Sequence, residues 1–466
     1  MTFDSLLYLG FLWIVVVLHR ILPHQMRWVL LLAASVVFYA VGSVPLSLLL
    51  LGVIALTYAA GLLLGAASTQ RQKRAILIAA IAACVGLLLY FKYFRFLAER
   101  AQALVRMLGG QAEWNLWDVV LPVGVSFYTF QAMAYVIDVY RGTLPPERHF
   151  GYYALFISFF PQLVAGPIER AENLLPQLKA ERAVSREDMR VGIRLLLSGL
   201  FRKVVLADFC GSVVDRVYAS SAPDGSAVAV ATLLFAVQIY CDFAGYSEIA
   251  RGSARLVGIR LMPNFDRPYL AENIREFWRR WHISLSKWLT DYVYIPLGGS
   301  QKGLARQIAA TIVVFLISGL WHGANDTFVV WGLLHGAWMI ACLLLRRVGR
   351  APGRVGKIGS TVLTFFGVTL LWIFFRAQSL AQAWDLIGRL FSPWNVADGL
   401  ALMELTGMDA ARFALALGVS PLLWQLTDEK RRETDLVYVF LILAIALAWV
   451  IRLDTDTVSA FLYFQF

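Results

Sequence analysis

Apolar runs long enough to cross a lipid bilayer recur along this chain, and they restrict its fold more than any other feature. A spanning helix needs about 20 mostly apolar residues, because each residue rises about 1.5 Å through about 30 Å of hydrocarbon. Inside hydrocarbon every backbone N–H and C=O must find its partner within the protein, which leaves helices or closed barrels. The runs here are continuous and not alternating, so they predict helices. Candidates lie near 5–18, 28–42, 46–66, 75–91, 118–140, 191–211, 226–245, 308–322, 327–345, 358–376, 413–426 and 434–451. Several are short for a full crossing, which predicts tilt or incomplete spans. The segment 151–167 is apolar but holds Pro161, Gly166 and Pro167. It reads as a re-entrant or broken element enclosed by protein. The expectation is an all-α, polytopic membrane protein of roughly 11–12 membrane segments with re-entrant and interfacial helices.

Composition agrees. Of 466 residues, 59% are hydrophobic and 16% charged, against about 45–50% and about 25% in soluble domains. A disordered chain, a disulfide scaffold and an ordinary soluble enzyme are excluded. The net charge of +11 is explained by basic cytoplasmic loops, and nucleic-acid binding is not expected. Cys84, Cys210, Cys241 and Cys342 are far apart within apolar runs; they read as small buried hydrophobes, with neither a metal site nor a disulfide framework. The first apolar stretch has no basic residue before it and no small-residue cleavage site, so it reads as a first span.

Basic residues orient the chain. Arg71, Lys73 and Arg74 mark the loop 67–74; Arg346, Arg347, Arg350, Arg354 and Lys357 mark 346–357; Lys430, Arg431 and Arg432 mark 427–433. All three are expected on the cytoplasmic side, which places both termini opposite. Lys92, Arg95, Arg100 and Arg106 conflict with that count, unless 92–108 is an amphipathic surface helix.

Three polar constellations interrupt the apolar pattern. The stretch 264–300 is too polar to span yet dense in aromatics. Projected as one helix at about 100° per residue, 274–288 places Ile274, Phe277, Trp281, Leu285 and Trp288 on one stripe. Arg275, Arg279, His282 and Ser286 fall on another face. This reads either as an interfacial anchor whose arginines meet lipid phosphates, or as a cationic pocket containing His282. The second constellation is 318–336, with His322 between Gly319 and Gly323. An ionisable residue between membrane runs is a functional candidate, and neutral histidine is cheap to bury and accepts protons near neutral pH. His335, 13 residues on, would lie about 140° around and about 20 Å along one straight helix, so the two histidines form no obvious pair. The third is Asp242, Tyr246 and Glu248 at the end of an apolar span. Asp242 is expected to pair with Arg251 or an arginine of the amphipathic segment; a structural salt bridge is as good a reading as catalysis. Glu169 and Arg170 invite the same reading, and His19, His24 and His149 are expected at solvated or interfacial segment ends.

The chain has no P-loop, no G-x-G-x-x-G, no G-x-S-x-G and no H-E-x-x-H, which disfavours nucleotide pumps, serine hydrolases and zincins. Two non-enzymatic readings compete with catalysis. One is a proton-coupled transporter using the intramembrane His, Asp and Glu, although no matching pair of broken segments marks two halves. The other is a non-catalytic membrane scaffold.

The strings LPVGVSFYTFQAMAYVIDVYRG (121–142), FFPQLVAGPIER (159–170), YCDFAGYSEIARG (240–252), NFDRPYLAENIREFWRRWHISLSKWLTDYVYIPLGG (264–299) and SGLWHGANDTFVVWGLLHG (318–336) together resemble the membrane-bound O-acyltransferase (MBOAT) superfamily. The resemblance points to its bacterial branch, the membrane components of alginate-type polysaccharide O-acetylation. It implies one MBOAT membrane domain over 1–466: N-terminal spans to 115, a motif-bearing core over 116–380, and C-terminal spans over 381–466. It also implies that His322 is the catalytic histidine and that His282 matches the second motif position. Arg275, Arg279, Arg280 and Ser286 become candidates for binding the donor, and Asp242, Tyr246, Asn325 and His335 for supporting roles. The implied donor is a cytoplasmic thioester, acetyl-CoA or an acyl-carrier protein, with no tightly bound cofactor and no metal. The implied partners are membrane lipid, a periplasmic SGNH-type acetyltransferase and a polysaccharide synthesis and secretion complex, in a bacterial inner membrane. D-alanyl transfer from a carrier protein is the alternative within the enzyme class.

Overall fold

A computed structural model describes residues 2–111, 114, 121–164, 166–181, 183–346, 354–404, 438, 441–442, 444–446 and 462. The described residues contain helices and no strand. The chain divides into two compact units, one formed by Met1–Met189 with Ser253–Met262 and the other by Arg190–Gly252 with Pro263–Phe466.

The first unit opens with α1 (Leu6–Ile21), α2 (His24–Ala40) and α3 (Val44–Ala66). Ser5 and Ser43 cap α1 and α3 by accepting backbone N–H groups that the first helical turn leaves over. In α4 (Gln70–Leu88), Thr69 and Gln72 form a capping box. A π turn at Leu89–Tyr93 then leads without interruption into α5 (Phe94–Met107). The basic stretch 92–108 is thus the amphipathic end of a 38-residue helix. Next come α6 (Val125–Arg141), α7 (Phe150–Ser158), α8 (Phe160–Leu163) and α9 (Ala171–Lys179). The break expected in 151–167 is real: α7 ends at Ser158 and α8 begins at Phe160. Phe156, Phe159 and Phe160 are fully buried there, so the irregular backbone is enclosed by protein. Glu169 accepts from the Asn173 side chain at 2.7 Å and from the Met262 backbone N–H. His149 is exposed and caps α7. His19, expected at a wet segment end, is instead buried.

The second unit holds most of α10 (Arg186–Leu200), a π turn at Phe201–Ala207, α11 (Asp208–Ala219) and most of the 32-residue α12 (Gly225–Leu256). Short elements follow: a 3₁₀ turn at Pro268–Leu270, α13 (Ile274–Arg280), α14 (Ile283–Leu289) and a π turn at Thr290–Tyr294. Then come α15 (Leu304–His322), α16 (Asp326–Arg346), α17 (Arg354–Arg376), α18 (Leu380–Leu390) and α19 (Val396–Met403). Small residues let helices meet backbone to backbone. A β-carbon on Gly199 of α10 would lie 2.5 Å from the Gly245 carbonyl of α12; one on Gly319 of α15 would lie 2.3 Å from the Phe328 carbonyl of α16, and one on Gly332 2.3 Å from the Phe315 carbonyl.

Among the described residues six helices are long and apolar enough to cross a membrane: Val44–Ala66, Gln70–Met107, Gly225–Leu256, Leu304–His322, Asp326–Leu345 and Gly356–Arg376; Leu6–Ile21 is a shorter apolar helix. The other expected spans at 28–42 and 191–211 do form helices, and the one at 118–140 does so from Val125 onward. They fall short of that standard because α2 and α6 have 17 residues each and the 191–211 stretch carries Arg194, Arg202, Lys203 and Asp208. The expected spans at 413–426 and 434–451 and the loop 427–433 lie almost wholly outside the described residues.

Gly319→Ala forces α15 and α16 apart, since no backbone carbonyl tolerates a carbon at 2.3 Å. It is expected to destabilise the purified protein by about 1–3 kcal/mol, read as a lowered thermal unfolding midpoint in detergent.

Candidate active site

The polar stretch after α12 does not form the single amphipathic helix that its periodicity predicts. α13 ends at Arg280 and α14 starts at Ile283, with His282 between them in the left-handed region at φ 43° and ψ 56°. The apolar stripe survives the break: Ile274, Phe277, Trp281, Leu285 and Trp288 are all buried. The break changes the fate of the histidine. His282 leaves the polar face and enters the core, fully buried. Arg275 and Arg279 stay exposed, Ser286 is half-buried, and Arg280 pairs with Glu276 one turn back. The arginine-lined pocket around His282 is therefore corrected to an aromatic one. Phe243 of α12 meets the His282 ring at 4.6 Å and Trp321 of α15 meets it at 5.4 Å, both nearly perpendicular. Burial pushes the imidazole down from its ordinary 6.5 to about 3, so His282 is neutral near pH 7, with one ring nitrogen a donor and the other an acceptor.

His322 is the last residue of α15, and Gly323 follows it in extended backbone. The residue is 3% exposed. Trp321 lies 5.0 Å away, Trp331 of α16 5.2 Å, Phe375 of α17 5.3 Å and His282 6.4 Å, centroid to centroid. The two histidines, 40 positions apart in sequence, thus share one site. Their separation exceeds direct hydrogen bonding and suits two rings acting on one small group between them. Asn325 donates to the Gln378 carbonyl at 2.9 Å and accepts from the Thr327 N–H at 3.1 Å. It fixes the turn between α15 and α16 that follows His322.

His335 is also fully buried. The chain reverses at 323–325, so the straight-helix geometry that separates His335 from His322 does not apply. Trp331 touches both rings, His322 at 5.2 Å and His335 at 4.8 Å. Trp278 completes the near wall of His335 at 5.2 Å.

Asp242 and Glu248 lie inside α12 and not at its end, because the helix runs on to Leu256. Asp242 pairs with Lys203 at 2.8 Å, a cation that neither expected partner, Arg251 or an arginine of the amphipathic segment, anticipates. Lys203 also meets Asp208 at 3.0 Å and lies over the Tyr246 ring. The Leu462 N–H donates to the other Asp242 oxygen at 2.8 Å. Glu248 pairs with Arg202 at 3.1 Å and accepts from Ser198 at 2.8 Å. The π turn carries both Arg202 and Lys203. This cluster is structural in its geometry: buried charges matched one against another. Sequence reasoning missed both cations because the apolar run 191–211 conceals them, although two adjacent basic residues in such a run are themselves a signal.

The family model for "MBOAT, membrane-bound O-acyltransferase family" matches residues 148–380, an interval that contains His282, His322, His335 and Asp242. A probable alginate O-acetylase AlgI from Pseudomonas aeruginosa is 37% identical over 421 residues, covering 89% of this chain and 80% of the relative. Its counterpart from Pseudomonas putida is 34% identical over the whole of both chains. This chain belongs to the membrane-bound O-acyltransferase family. It is a multi-pass membrane O-acyltransferase. A peptidoglycan O-acetyltransferase from Helicobacter pylori is 35% identical, covering 76% of this chain and 71% of the relative. A teichoic acid D-alanyltransferase from Streptococcus thermophilus is 28% identical, covering 47% and 56%.

In this acyltransferase, Asp242→Ala leaves the Lys203 ammonium buried with a carboxylate removed. It is expected to destabilise the fold by about 3–5 kcal/mol. The paired change Lys203→Met with Asp242→Leu should recover much of that loss, both read by thermal unfolding.

Proposed function

We propose that this chain takes an acetyl group from a cytoplasmic thioester, acetyl-CoA, and delivers it for O-acetylation of an extracellular polysaccharide. The observation that carries the reading is the meeting of His282 and His322 in one buried aromatic site, in a chain of this family. The relatives named as acetyltransferases support acetyl as the group: they match 76–100% of this chain, against 47% for the D-alanyltransferase.

His322 is the general base. One ring nitrogen accepts the proton of an acceptor hydroxyl as its oxygen attacks the thioester carbonyl. The carbon–sulfur bond then breaks, and the departing thiolate takes that proton from the imidazolium. His282, neutral, donates a hydrogen bond to the carbonyl oxygen as charge develops there. The aromatic walls exclude water, so the thioester is not lost to hydrolysis. The exposed Arg275 and Arg279 meet the phosphates of the donor. The acetyl group passes to the polysaccharide through a periplasmic SGNH-type partner, and the membrane is the bacterial inner membrane with both termini on its outer side.

The test uses the full chain in proteoliposomes with [¹⁴C]acetyl-CoA, a periplasmic SGNH-type acetyltransferase and a mannuronic-acid oligosaccharide. Proton transfer contributes about 10²–10⁴-fold, so His322→Ala should slow transfer by that factor while its unfolding midpoint is kept. Arg275→Ala with Arg279→Ala should raise KM for acetyl-CoA. Transfer at the parent rate by a folded His322→Ala protein rules the mechanism out.

A further inference from the structure

His282 sits in a conformation that its own side chain opposes. At φ 43° and ψ 56° the β-carbon crowds the backbone; residues other than glycine are uncommon there, asparagine, aspartate and histidine being the least rare. The joint is one residue tight. The Trp281 N–H closes α13 on the Phe277 carbonyl at 2.8 Å, and the His282 carbonyl already accepts the Ser286 N–H of α14 at 2.9 Å. Such strain persists only where the surroundings over-determine it, and it concentrates at functional sites.

The surroundings that do so come from one loop residue, Asn264, itself 1% exposed. Its backbone carbonyl accepts the Ile283 N–H at 2.9 Å. Its side-chain Oδ1 accepts from the Ser284 hydroxyl at 2.6 Å and lies 3.4 Å from the Ser284 N–H. Its Nδ2 donates to Ser247 Oγ of α12 at 3.0 Å. Two residues on, the Asp266 N–H donates to the Arg280 carbonyl at 3.0 Å. The loop 264–266 therefore holds the chain on both sides of the joint, and the carboxamide ties that clamp to the helix carrying Phe243. The orientation of the amide is set by its partners, because a backbone N–H at Ser284 requires an acceptor.

We propose that Asn264 is a positioning residue of the acyl-transfer site, locking His282 in its left-handed conformation so that the imidazole faces His322. The inference rests on the reading of His282 and His322 as the reacting pair. Without the clamp, His282 relaxes to an ordinary backbone region. The bond from its α-carbon to its β-carbon then rotates, and the ring leaves its contacts with Phe243, Trp321 and His322. A displacement of about 1 Å costs on the order of 10²-fold in rate.

The experiment measures acetyl transfer in proteoliposomes, with [¹⁴C]acetyl-CoA, a periplasmic SGNH-type acetyltransferase and a mannuronic-acid oligosaccharide, alongside thermal unfolding of each variant. Asn264→Leu keeps the volume and removes both side-chain bonds; kcat should fall on the order of 10²-fold. Asn264→Asp keeps the acceptor for Ser284 and should restore most of that loss, while Ser284→Ala should fall between the two. His282→Gly removes both the ring and the strain, so adding Asn264→Leu to it should cost no further activity. A purely structural role predicts the opposite: equal losses with and without His282, no recovery in Asn264→Asp, and unfolding midpoints that track activity. Any of these results overturns the proposal. If Asn264→Leu does not fold, Ser284→Ala placed on the His282→Gly background makes the same comparison. Wild-type transfer by His322→Ala, or none by the parent chain, removes the acyl-transfer reading itself. A required His322 with additive Asn264 losses removes only this inference.

Discussion

Hydrocarbon offers no partner to a polar group, and the described architecture depends on that constraint. The long apolar stretches are helices, whose backbone groups satisfy one another. Where the chain leaves the helix at Phe159, it is wrapped by protein; the same holds at Trp281–His282. Side chains obey the same constraint. Lys203 meets Asp208 and Asp242, and Arg202 meets Glu248, because a lone buried charge would cost several kcal/mol.

Close helix contact then creates the candidate site. Glycines at 319 and 332 let α15 and α16 approach until backbone touches backbone. That approach sets Trp331 of one helix against His322 of the other. The aromatics Trp321, Trp331 and Phe375 surround His322 with ring surface. This aromatic enclosure lies within the stretch that matches the O-acyltransferase family to which the chain belongs.

Much of this was legible in the residues. The apolar runs foretold the helices of the first unit and of 304–376, and the Pro–Gly–Pro content of 151–167 foretold the break near Phe159. His282, His322 and His335 stood out because ionisable groups among apolar runs are costly. What was misread has a common origin. The periodicity of 274–288 fits one helix, and no glycine or proline marks the break at His282. The distance between His322 and His335 was reckoned along a straight axis, while the chain turns back at 323–325. Asp242 is expected to pair with Arg251 or an arginine of the amphipathic segment, while Lys203, from the π turn before α11, meets it at 2.8 Å.

The sequence by itself determined the membrane class, the helical architecture and the family, because these follow from composition, local periodicity and short motifs. The tertiary structure alone decided which groups meet. His282 meets His322 from a left-handed joint whose next residues, Ile283 and Ser284, are hydrogen-bonded to Asn264, 18 residues before the histidine. Asp242 joins Lys203 only because a π turn directs that ammonium inward between packed helices. Pairings of this kind are set by the packing of distant segments, and local pattern carries no record of them.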